Sequence, residues 1–208
     1  PGKKLVDAIH KAGLKVIMDV VYNHTAEDAN ERNLDARFSF NGLAPRYYYR
    51  TCGNIPVSEN GYNTCAWKGL DEPRCGKCYS NGSGCGNEFR SESPMGRKFI
   101  LDSLTYWATE YKIDGFRFDL MGLMDVETMT LAAKRLQEID ENIILYGEPW
   151  TAGPTPILAL AKGMQRERGF GVFNNSFRDA LRGSPFGVEE NFLMDGGRLG
   201  AVKRGIMG

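Results

Sequence analysis

The stretch Asp114-Gly115-Phe116-Arg117-Phe118-Asp119-Leu120 decides the fold of this chain. We predict a short buried strand that ends in a carboxylate. Side chains alternate along a strand, so Phe116 and Phe118 face one way, to pack against helices, and Arg117 and Asp119 face the other. Burying either charge alone is costly, and a neighbouring guanidinium favours the ionised form of a carboxylate. On this stretch alone, the pair is equally well a structural ion pair or a charged group held at a strand end.

Three other segments repeat the pattern of an apolar run that ends in polar residues. The first run, broken only by Asp19, suits a strand buried on both faces, and its polar end suits a role facing a ligand. The four runs and the polar residues after them are residues 16–21 with Asn23 and His24, 114–118 with Asp119, 143–146 with Glu148, and 171–173 with Asn174.

Helices are predicted between these strands. Apolar residues at helical spacing before residue 12 are followed by Gly13, which fits the position just past a helix end. Ser93-Pro94 is a strong helix start, with serine at the N-cap and proline at the first position, and Asp125 caps the next helix. A short helix at about residues 176–181 follows the last strand.

Strands that alternate with helices imply βαβ units and a parallel sheet. A doubly wound sheet binds its ligand at one switch point, whereas polar groups spread over successive strand ends are typical of a (β/α)8 barrel. The 208 residues supply only about four strands. We therefore predict an α/β fold in which residues 1–208 form part of a single catalytic TIM barrel domain. The chain opens Pro1-Gly2-Lys3 without an initiator methionine, so we expect an internal segment of a longer protein. A barrel core is built from strands around the full circle, so we expect about four strands in isolation to be inactive.

Residues 25–92 form a long excursion after the first strand, rich in Gly, Asn, Ser and Cys. Its aromatic residues are too many for a disordered linker, and we expect most of them to form the loop's own small core, although flat rings also stack on sugars. These residues are Tyr47, Tyr48, Tyr49, Tyr62, Trp67 and Tyr79.

All five cysteines lie in the same excursion. Cys75 and Cys78 have the spacing of half a zinc site, and with Cys52 and Cys65 they are candidates for Zn²⁺ binding, for two disulfides or for free thiols. Cys85 is the fifth cysteine. Because the count is odd, at least one of the five is unpaired within the chain.

Composition narrows the range of partners. Lysine and arginine together number 26, as do aspartate and glutamate, so the net charge is zero and nothing indicates nucleic acid or an anionic membrane as a partner. No apolar run approaches the ~20 residues that span a bilayer. The sequence does not indicate whether the protein is cytoplasmic or secreted.

Two carboxylates on neighbouring strands indicate glycoside hydrolysis, which needs one carboxylate as nucleophile or base and one protonated carboxyl as acid. Asp119, beside Arg117, suits the ionised role. Glu148 lies beside Pro149 and Trp150, and these apolar neighbours suit a proton donor. Clustered carboxylates could instead bind a divalent metal ion. A metal site, however, would give no role to the aromatic residues of the excursion, whose flat rings suit sugars.

At these residues the chain resembles the α-amylase family (glycoside hydrolase family 13), and the closer forms resemble type I pullulanases, which debranch α-glucans. The motifs that carry the resemblance are Asp19-Val20-Val21-Tyr22-Asn23-His24, Phe116-Arg117-Phe118-Asp119-Leu120-Met121-Gly122, Tyr146-Gly147-Glu148-Pro149-Trp150, Asn81-Gly82-Ser83-Gly84-Cys85-Gly86-Asn87-Glu88 and Phe177-Arg178-Asp179-Ala180-Leu181-Arg182-Gly183.

The resemblance implies a retaining hydrolase that cleaves α-1,6 branch linkages in pullulan, glycogen or starch limit dextrins. It also implies that this chain contains about strands 3 to 6 of the barrel. It makes Asp119 the nucleophile and Glu148 the general acid/base, and it requires no cofactor, with structural Ca²⁺ an option. The substrate would contact Asp19, Asn23, His24, Arg117 and Trp150. The family's fourth region, which supplies a third catalytic Asp, is not among these residues. The alternatives are a glucan transferase or branching enzyme with the same carboxylates, and a non-catalytic amylase-like binding or assembly domain.

Overall fold

The structure is a computed structural model that describes residues 1–26, 39–44, 47–51, 79–184 and 191–207. It divides into two compact units, Pro1–Val172 and Phe173–Gly208. The first unit contains helices α1 (Gly2–Lys11), α2 (Ser39–Leu43), α3 (Pro94–Glu110) and α4 (Val126–Ile139), and strands β1 (Ile17–Val20), β2 (Gly115–Phe118), β3 (Ile144–Gly147) and β4 (Gly171–Val172). The second unit contains α5 (Asn175–Arg182), α6 (Phe192–Asp195) and α7 (Leu199–Met207).

The four strands form one parallel sheet in the order β1-β2-β3-β4. This order follows the chain without a reversal, whereas a doubly wound sheet reverses its order at the switch point. Helices α3 and α4 lie between successive strands and pack against each other. The architecture confirms the predicted α/β fold and is that of part of a TIM barrel.

The two faces of the sheet differ as the alternation of β2 predicts. Phe116 and Phe118 are fully buried and form the centre of the core, together with apolar residues of α3 and α4 such as Leu104 and Leu136. Arg117 lies on the opposite face. The face that carries Arg117 is thus the one on which polar groups gather.

Within this chain, β1 is buried on one face and open on the other, whereas the apolar run predicts burial on both. Ile17, which lies opposite Gly115 in the register, is 40% exposed, and Ile144 on the same face is 50% exposed. Side chains on this face point to the inside of a TIM barrel, where strands of the full circle pack together, and the four strands described here form only part of that circle.

The helix starts follow the predicted caps. Ser93 accepts a hydrogen bond from the Gly96 N–H at 3.2 Å, and Asp125 accepts one from the Thr128 N–H at 2.9 Å. Gly13 has φ of 77° just past the end of α1, a conformation in which a side chain is strained. Among the described residues, no helix combines the length and the apolar composition that a membrane crossing requires.

The excursion at residues 25–92 is less irregular than predicted where the structure describes it. It contains α2 and two isolated antiparallel bridges, which pair Tyr49 with Phe89 and Thr51 with Tyr79. Tyr49 and Tyr79 are buried with ring centroids 5.0 Å apart, so they are core residues. They belong to the same apolar core as Leu104 and Phe116, however, and do not form the separate loop core that was predicted. Tyr62, Trp67, Cys52, Cys65, Cys75 and Cys78 lie outside the described residues, so their predicted roles stay predictions.

A partly buried carboxylate joins the N-terminal ends of the first two strands. Asp114, just before β2, accepts hydrogen bonds from the Val16 N–H at 2.7 Å and from Lys15 Nζ at 3.3 Å, and it pairs with His10 Nε2 of α1 at 2.8 Å. Burial opposes ionisation, but the Val16 N–H and the two basic side chains outweigh it and lower the pKa of Asp114.

We expect Asp114→Asn to reduce stability in a pH-dependent way. A carboxylate whose pKa is lower in the folded state stabilises the fold above its unfolded pKa of about 3.9, and this contribution is lost as the pH falls through the folded pKa. In the full-length protein, the difference in free energy of unfolding between wild type and Asp114→Asn should therefore be largest near pH 6 and shrink below about pH 4. Urea titrations at several pH values measure it.

Asp7→Asn serves as the control, because in the described part of the chain the ion pair of Asp7 is with exposed Lys11, one helical turn away. Exposed pairs of this kind contribute little, so this variant should match the wild type. A stability difference for Asp114→Asn that does not change with pH would contradict the electrostatic account.

Candidate active site

The carboxyl ends of β1, β2 and β3 bring the predicted polar residues to one edge of the sheet. In the register, Asp19 lies opposite Arg117, and Arg117 lies opposite Tyr146. Because the strands are parallel and side chains alternate, Asp19 and Arg117 point to the same face, and Asp119 follows on that face two residues later.

Arg117 is the centre of this cluster, because its guanidinium binds three carboxylates from three segments. Nη1 donates to Asp19 Oδ1 at 2.9 Å and to Asp119 Oδ1 at 3.1 Å, and Nη2 donates to Glu148 Oε1 at 2.5 Å. The Arg117 side chain is 20% exposed and that of Glu148 16%, whereas Asp19 is 67% exposed. The cluster is therefore partly buried on the Glu148 side and open to solvent on the Asp19 side.

The charges in the cluster are coupled. Partial burial disfavours the guanidinium, but its hydrogen bond to Asp19 and the negative charges of Glu148 and Asp19 raise the pKa of Arg117 above its ordinary value. Arg117 is accordingly a permanent cation that faces three carboxylates, and its charge holds them close together against their mutual repulsion.

The second oxygen of Glu148 is fixed by the backbone after β2. The Leu120 N–H donates to Glu148 Oε2 at 2.9 Å, from a residue held in the left-handed conformation with φ of 39° and ψ of 51°. Strained backbone of this kind persists where the surrounding structure enforces it, and it clusters at functional sites. The immediate partners of Glu148 are thus polar, in contrast to the apolar surroundings predicted from Pro149 and Trp150.

A 3₁₀ turn, Met121–Leu123, locks the segment that carries Glu148. The Gly122 N–H donates to the Glu148 carbonyl at 3.0 Å, and a Cβ added to Gly122 would lie 2.3 Å from the Trp150 carbonyl oxygen. No side chain fits in so short a gap, so glycine at this position allows the turn to approach the backbone of Glu148 and Trp150.

Asn23 and His24 extend the cluster from the end of β1. Asn23 Nδ2 donates to the Asp119 carbonyl at 2.9 Å and to Asp119 Oδ2 at 3.0 Å, and Asn23 Oδ1 lies 2.6 Å from His24 Nδ1. Since the amide nitrogen of Asn23 faces acceptors, its Oδ1 is the acceptor for His24, and His24 Nδ1 carries the proton in this bond.

The structure brings most of the predicted site residues together and changes the role of one. Asp19, Arg117, Asp119 and Glu148 form one hydrogen-bonded cluster, and His24 joins it through Asn23. Asn23 itself was predicted to bind substrate, but its side chain is fully buried, so it can only position its neighbours. Trp150 is half-buried beside the turn at Gly122, and its predicted contact with substrate stays a prediction.

Some residues that contact the cluster, or that contact its neighbouring segments, were not among the predicted site residues. They are the Leu120 N–H, Gly122, Asn87, and a buried ion pair between Arg50 and Glu88. The motif at residues 81–88 contains Asn87 and Glu88, and it marks them through the family resemblance, but nothing in it shows which groups their side chains bind.

The Arg50–Glu88 pair joins four segments, one of which is the 3₁₀ turn that ends at Leu123. Arg50 Nη1 donates to Glu88 Oε1 at 2.6 Å and to the Leu123 carbonyl at 2.8 Å, and Thr155 Oγ1 donates to the same Glu88 oxygen at 2.5 Å. Glu88 Oε2 accepts from Ser80 Oγ at 2.8 Å and the Gly82 N–H at 3.1 Å. Burial disfavours the charge of Arg50, but the charge of Glu88 and the hydrogen bond to Glu92 raise the pKa of Arg50.

We expect Arg50→Met to be among the most destabilising substitutions in this chain. Arg50 is 3% exposed and Glu88 is fully buried, and removing one partner of a buried pair leaves an uncompensated charge at a cost of about 3–5 kcal/mol. Chemical denaturation of the full-length variant measures the loss. The double variant with Glu88→Gln should lose less than the sum of the two single losses, whereas strict additivity would show that the charges do not interact.

The metal predictions are not tested by the described residues. Among residues 1–26, 39–44, 47–51, 79–184 and 191–207, no group of three or more His, Cys, Asp or Glu side chains has the arrangement of a metal site. Cys85, the one cysteine that the structure describes, is an exposed free thiol. Structural Ca²⁺ and Zn²⁺ at Cys52, Cys65, Cys75 and Cys78 therefore stay predictions.

Comparison with known proteins shows which family this chain belongs to. Residues 2–152 match the family model of the α-amylase catalytic domain. The chain belongs to the α-amylase family. Over 99% of its length it is 34% identical to the pullulanase of Bacillus subtilis (strain 168), of which it covers 25%. The family resemblance read from the sequence motifs is thereby confirmed.

Solved structures of this family agree in fold. The pullulanase from Bacillus acidopullulyticus superimposes with a TM-score of 0.79 at 39% identity, over 99% of this chain and 22% of that protein. A pullulanase from Anoxybacillus sp. LM18-11, solved in complex with maltotriose, gives a TM-score of 0.76 at 37% identity, over 99% of this chain and 26% of that protein. The chain thus spans about a quarter of the length of these α-amylase family members.

Proposed function

We propose that this chain carries the nucleophile and the general acid/base of a retaining glycosidase that acts on α-glucans and cleaves α-1,6 branch linkages. The observation that carries the proposal is the bridging of Asp119 and Glu148 by the two terminal nitrogens of one guanidinium. Retaining enzymes hold their two carboxyl groups about 5–5.5 Å apart, against about 6.5–9.5 Å in inverting enzymes. Two carboxylates on one guanidinium favour the shorter separation.

The proposed reaction has two displacements. Asp119 attacks the anomeric carbon while Glu148 gives its proton to the leaving oxygen, and the resulting glycosyl ester on Asp119 is then hydrolysed by a water molecule that Glu148 deprotonates. Two carboxyl groups suffice for these steps, so the proposal includes no cofactor. For the first step, Glu148 must carry a proton, so its contact with Arg117 has to loosen when substrate enters.

Asn23 and Arg117 orient the nucleophile in this scheme. Asn23 binds Asp119 Oδ2 and Arg117 binds Oδ1, so each oxygen has one donor and the plane of the carboxylate is fixed. Fixed orientation of a reacting group lowers the entropic part of the barrier. Asp19 and His24 border the same cluster and are the residues that we assign to contact with the sugar at the scissile bond, with Trp150 beside them.

The relatives support the substrate class. They are pullulanases, and one of them was solved with maltotriose, an α-glucan oligosaccharide. A glucan transferase with the same carboxylates is the runner-up, since it shares the first displacement and differs only in the acceptor of the second.

Product analysis of the full-length protein tests the proposal. Incubation with pullulan, a branched dextrin and linear amylose should give new reducing ends from the first two and little from amylose. Release of the β-anomer would indicate inversion and contradict the mechanism. Shifts in chain length without new reducing ends would indicate a transferase, and turnover of amylose alone would contradict the linkage.

A further inference from the structure

The segment that carries His24 is paired with residues 87–89 as if with a neighbouring strand. The Phe89 N–H donates to the Asn23 carbonyl at 2.8 Å. Two residues further along, where the next backbone pair would be, the side chain of Asn87 takes the place of backbone. Its Oδ1 accepts from the Thr25 N–H at 3.0 Å and its Nδ2 donates to the Thr25 carbonyl at 2.8 Å.

This pairing leads directly to Asp119. The residues held by Phe89 and Asn87 are Asn23 and Thr25, which flank His24, and Asn23 is the residue whose amide binds both the carbonyl and the carboxylate of Asp119. Asn87 and Asn23 are both fully buried, so neither can bind substrate itself. Asn87 is therefore linked to the nucleophile by two sets of hydrogen bonds, one to Thr25 and one from Asn23 to Asp119, joined by the backbone of residues 23–25.

Asn87 is in turn fixed by its own loop. The Ser83 hydroxyl donates to the Asn87 carbonyl at 2.5 Å, and Asn81 Oδ1 accepts from the Gly86 N–H at 2.6 Å, which closes the turn before Asn87. The next residue, Glu88, is held by the buried Arg50. A side chain on such a rigid support can position a partner with precision, because buried and fully satisfied polar networks resist distortion.

We propose that Asn87 is a positioning residue that holds Asn23 and His24 in register with Asp119, and thereby fixes the nucleophile's carboxylate for attack. The catalytic part of this proposal rests on the proposed function. Asparagine is suited to the task because one amide offers both a donor and an acceptor to the same backbone unit. Aspartate has the same shape but cannot donate, and would place a negative charge against the Thr25 carbonyl.

The test uses Asn87→Asp and Asn87→Ala in the full-length protein. Misplacement of a reacting group by about 1 Å can cost on the order of 10²-fold in rate, so kcat on a branched dextrin should fall about 10–100-fold, with a smaller change in KM. If Asn87 acts through Asn23, then Asn23→Ala combined with Asn87→Ala should lower kcat little more than the more damaging single change.

Thr128→Val is the matched control. Thr128 is also fully buried, and its hydroxyl donates to the Ser91 carbonyl at 3.1 Å and accepts from Arg97 Nε at 2.9 Å, at the start of α4. This variant should lose stability and keep kcat. An unchanged kcat in Asn87→Asp and Asn87→Ala, or single losses in kcat that multiply in the double variant, would overturn the proposal.

Hydrogen exchange gives a second readout that needs no activity. In Asn87→Ala, the peptide containing Asn23 to Thr25 should exchange faster, because the Thr25 N–H loses its side-chain acceptor, and in Thr128→Val it should not. Unchanged protection of this peptide in Asn87→Ala would overturn the proposal that Asn87 holds residues 23–25. If the wild-type protein turns over no α-glucan, the proposed function fails, and exchange alone then decides whether Asn87 holds this segment.

Discussion

Asp119→Asn in the full-length protein is expected to lower kcat on pullulan or a branched dextrin by at least about 10⁴-fold, because it removes the charge that attacks the anomeric carbon in the proposed mechanism. The change keeps the shape of the side chain. Both oxygens of Asp119 accept from donors, Arg117 on one side and Asn23 on the other, so an amide nitrogen in place of one oxygen must face a donor. We therefore expect a small loss of stability as well, far below the loss of rate.

Asp102→Asn is the control for this experiment. Asp102 is an exposed carboxylate of α3 that pairs with Lys98 and Arg135 on the helix surface. Its replacement should leave kcat unchanged. Steady-state kinetics with reducing-sugar detection, together with thermal unfolding of both variants, measures the contrast. Activity of Asp119→Asn within tenfold of wild type would contradict its assignment as nucleophile.

Arg117→Met should have the second largest effect on rate. Arg117 is the one described group that binds Asp19, Asp119 and Glu148 together, and its loss leaves three carboxylates that repel one another. Removing a single preorganised donor at a reacting charge costs about 10²–10³-fold in kcat, and in the proposed mechanism Arg117 also orients the nucleophile. We expect a loss at the upper end of that range and a lower thermal stability.

Arg117→Lys separates charge from geometry. Lysine restores the positive charge, but one ammonium cannot reproduce the planar fork that reaches three carboxylates from two nitrogens. Its kcat should lie between those of wild type and Arg117→Met, with thermal stability closer to wild type. Equal kcat for the lysine and methionine variants would show that charge contributes little. Wild-type kcat in Arg117→Met would refute the orienting role.

The parts of the fold that are local in sequence were predictable. The alternation in Phe116-Arg117-Phe118 placed the core and the site on opposite faces of β2, since a strand has a period of two residues. The caps at Ser93 and Asp125 marked the starts of α3 and α4, because each cap bonds to an N–H two or three residues away. The order of strands and helices then indicated a parallel sheet.

Predictions based on neighbours in sequence were less accurate at the site. Pro149 and Trp150 flank Glu148 in the chain, but its carboxylate binds Arg117 and the Leu120 N–H, which are 31 and 28 residues away. Asn23 looked like a ligand-facing group because it follows an apolar strand, yet it is fully buried. A side chain's surroundings depend on the segments that pack over it, and these are seldom its neighbours in the chain.

The sequence by itself determined the fold class, the family motifs and the identity of the two carboxylates at the ends of β2 and β3. The fold class follows from the periodicity and order of the predicted elements. The two carboxylates are indicated by their positions after apolar runs and by the resemblance of their motifs to the α-amylase family. Only the tertiary structure decided that Arg117 joins three carboxylates, that Asn23 binds Asp119, that Asn87 binds the backbone of Thr25, and that Arg50 pairs with Glu88. The physical reason is the separation of the partners along the chain. Except for Arg117 and Asp119, the hydrogen-bonded residues are 31 to 98 positions apart, so these bonds form only when the strands and loops pack together.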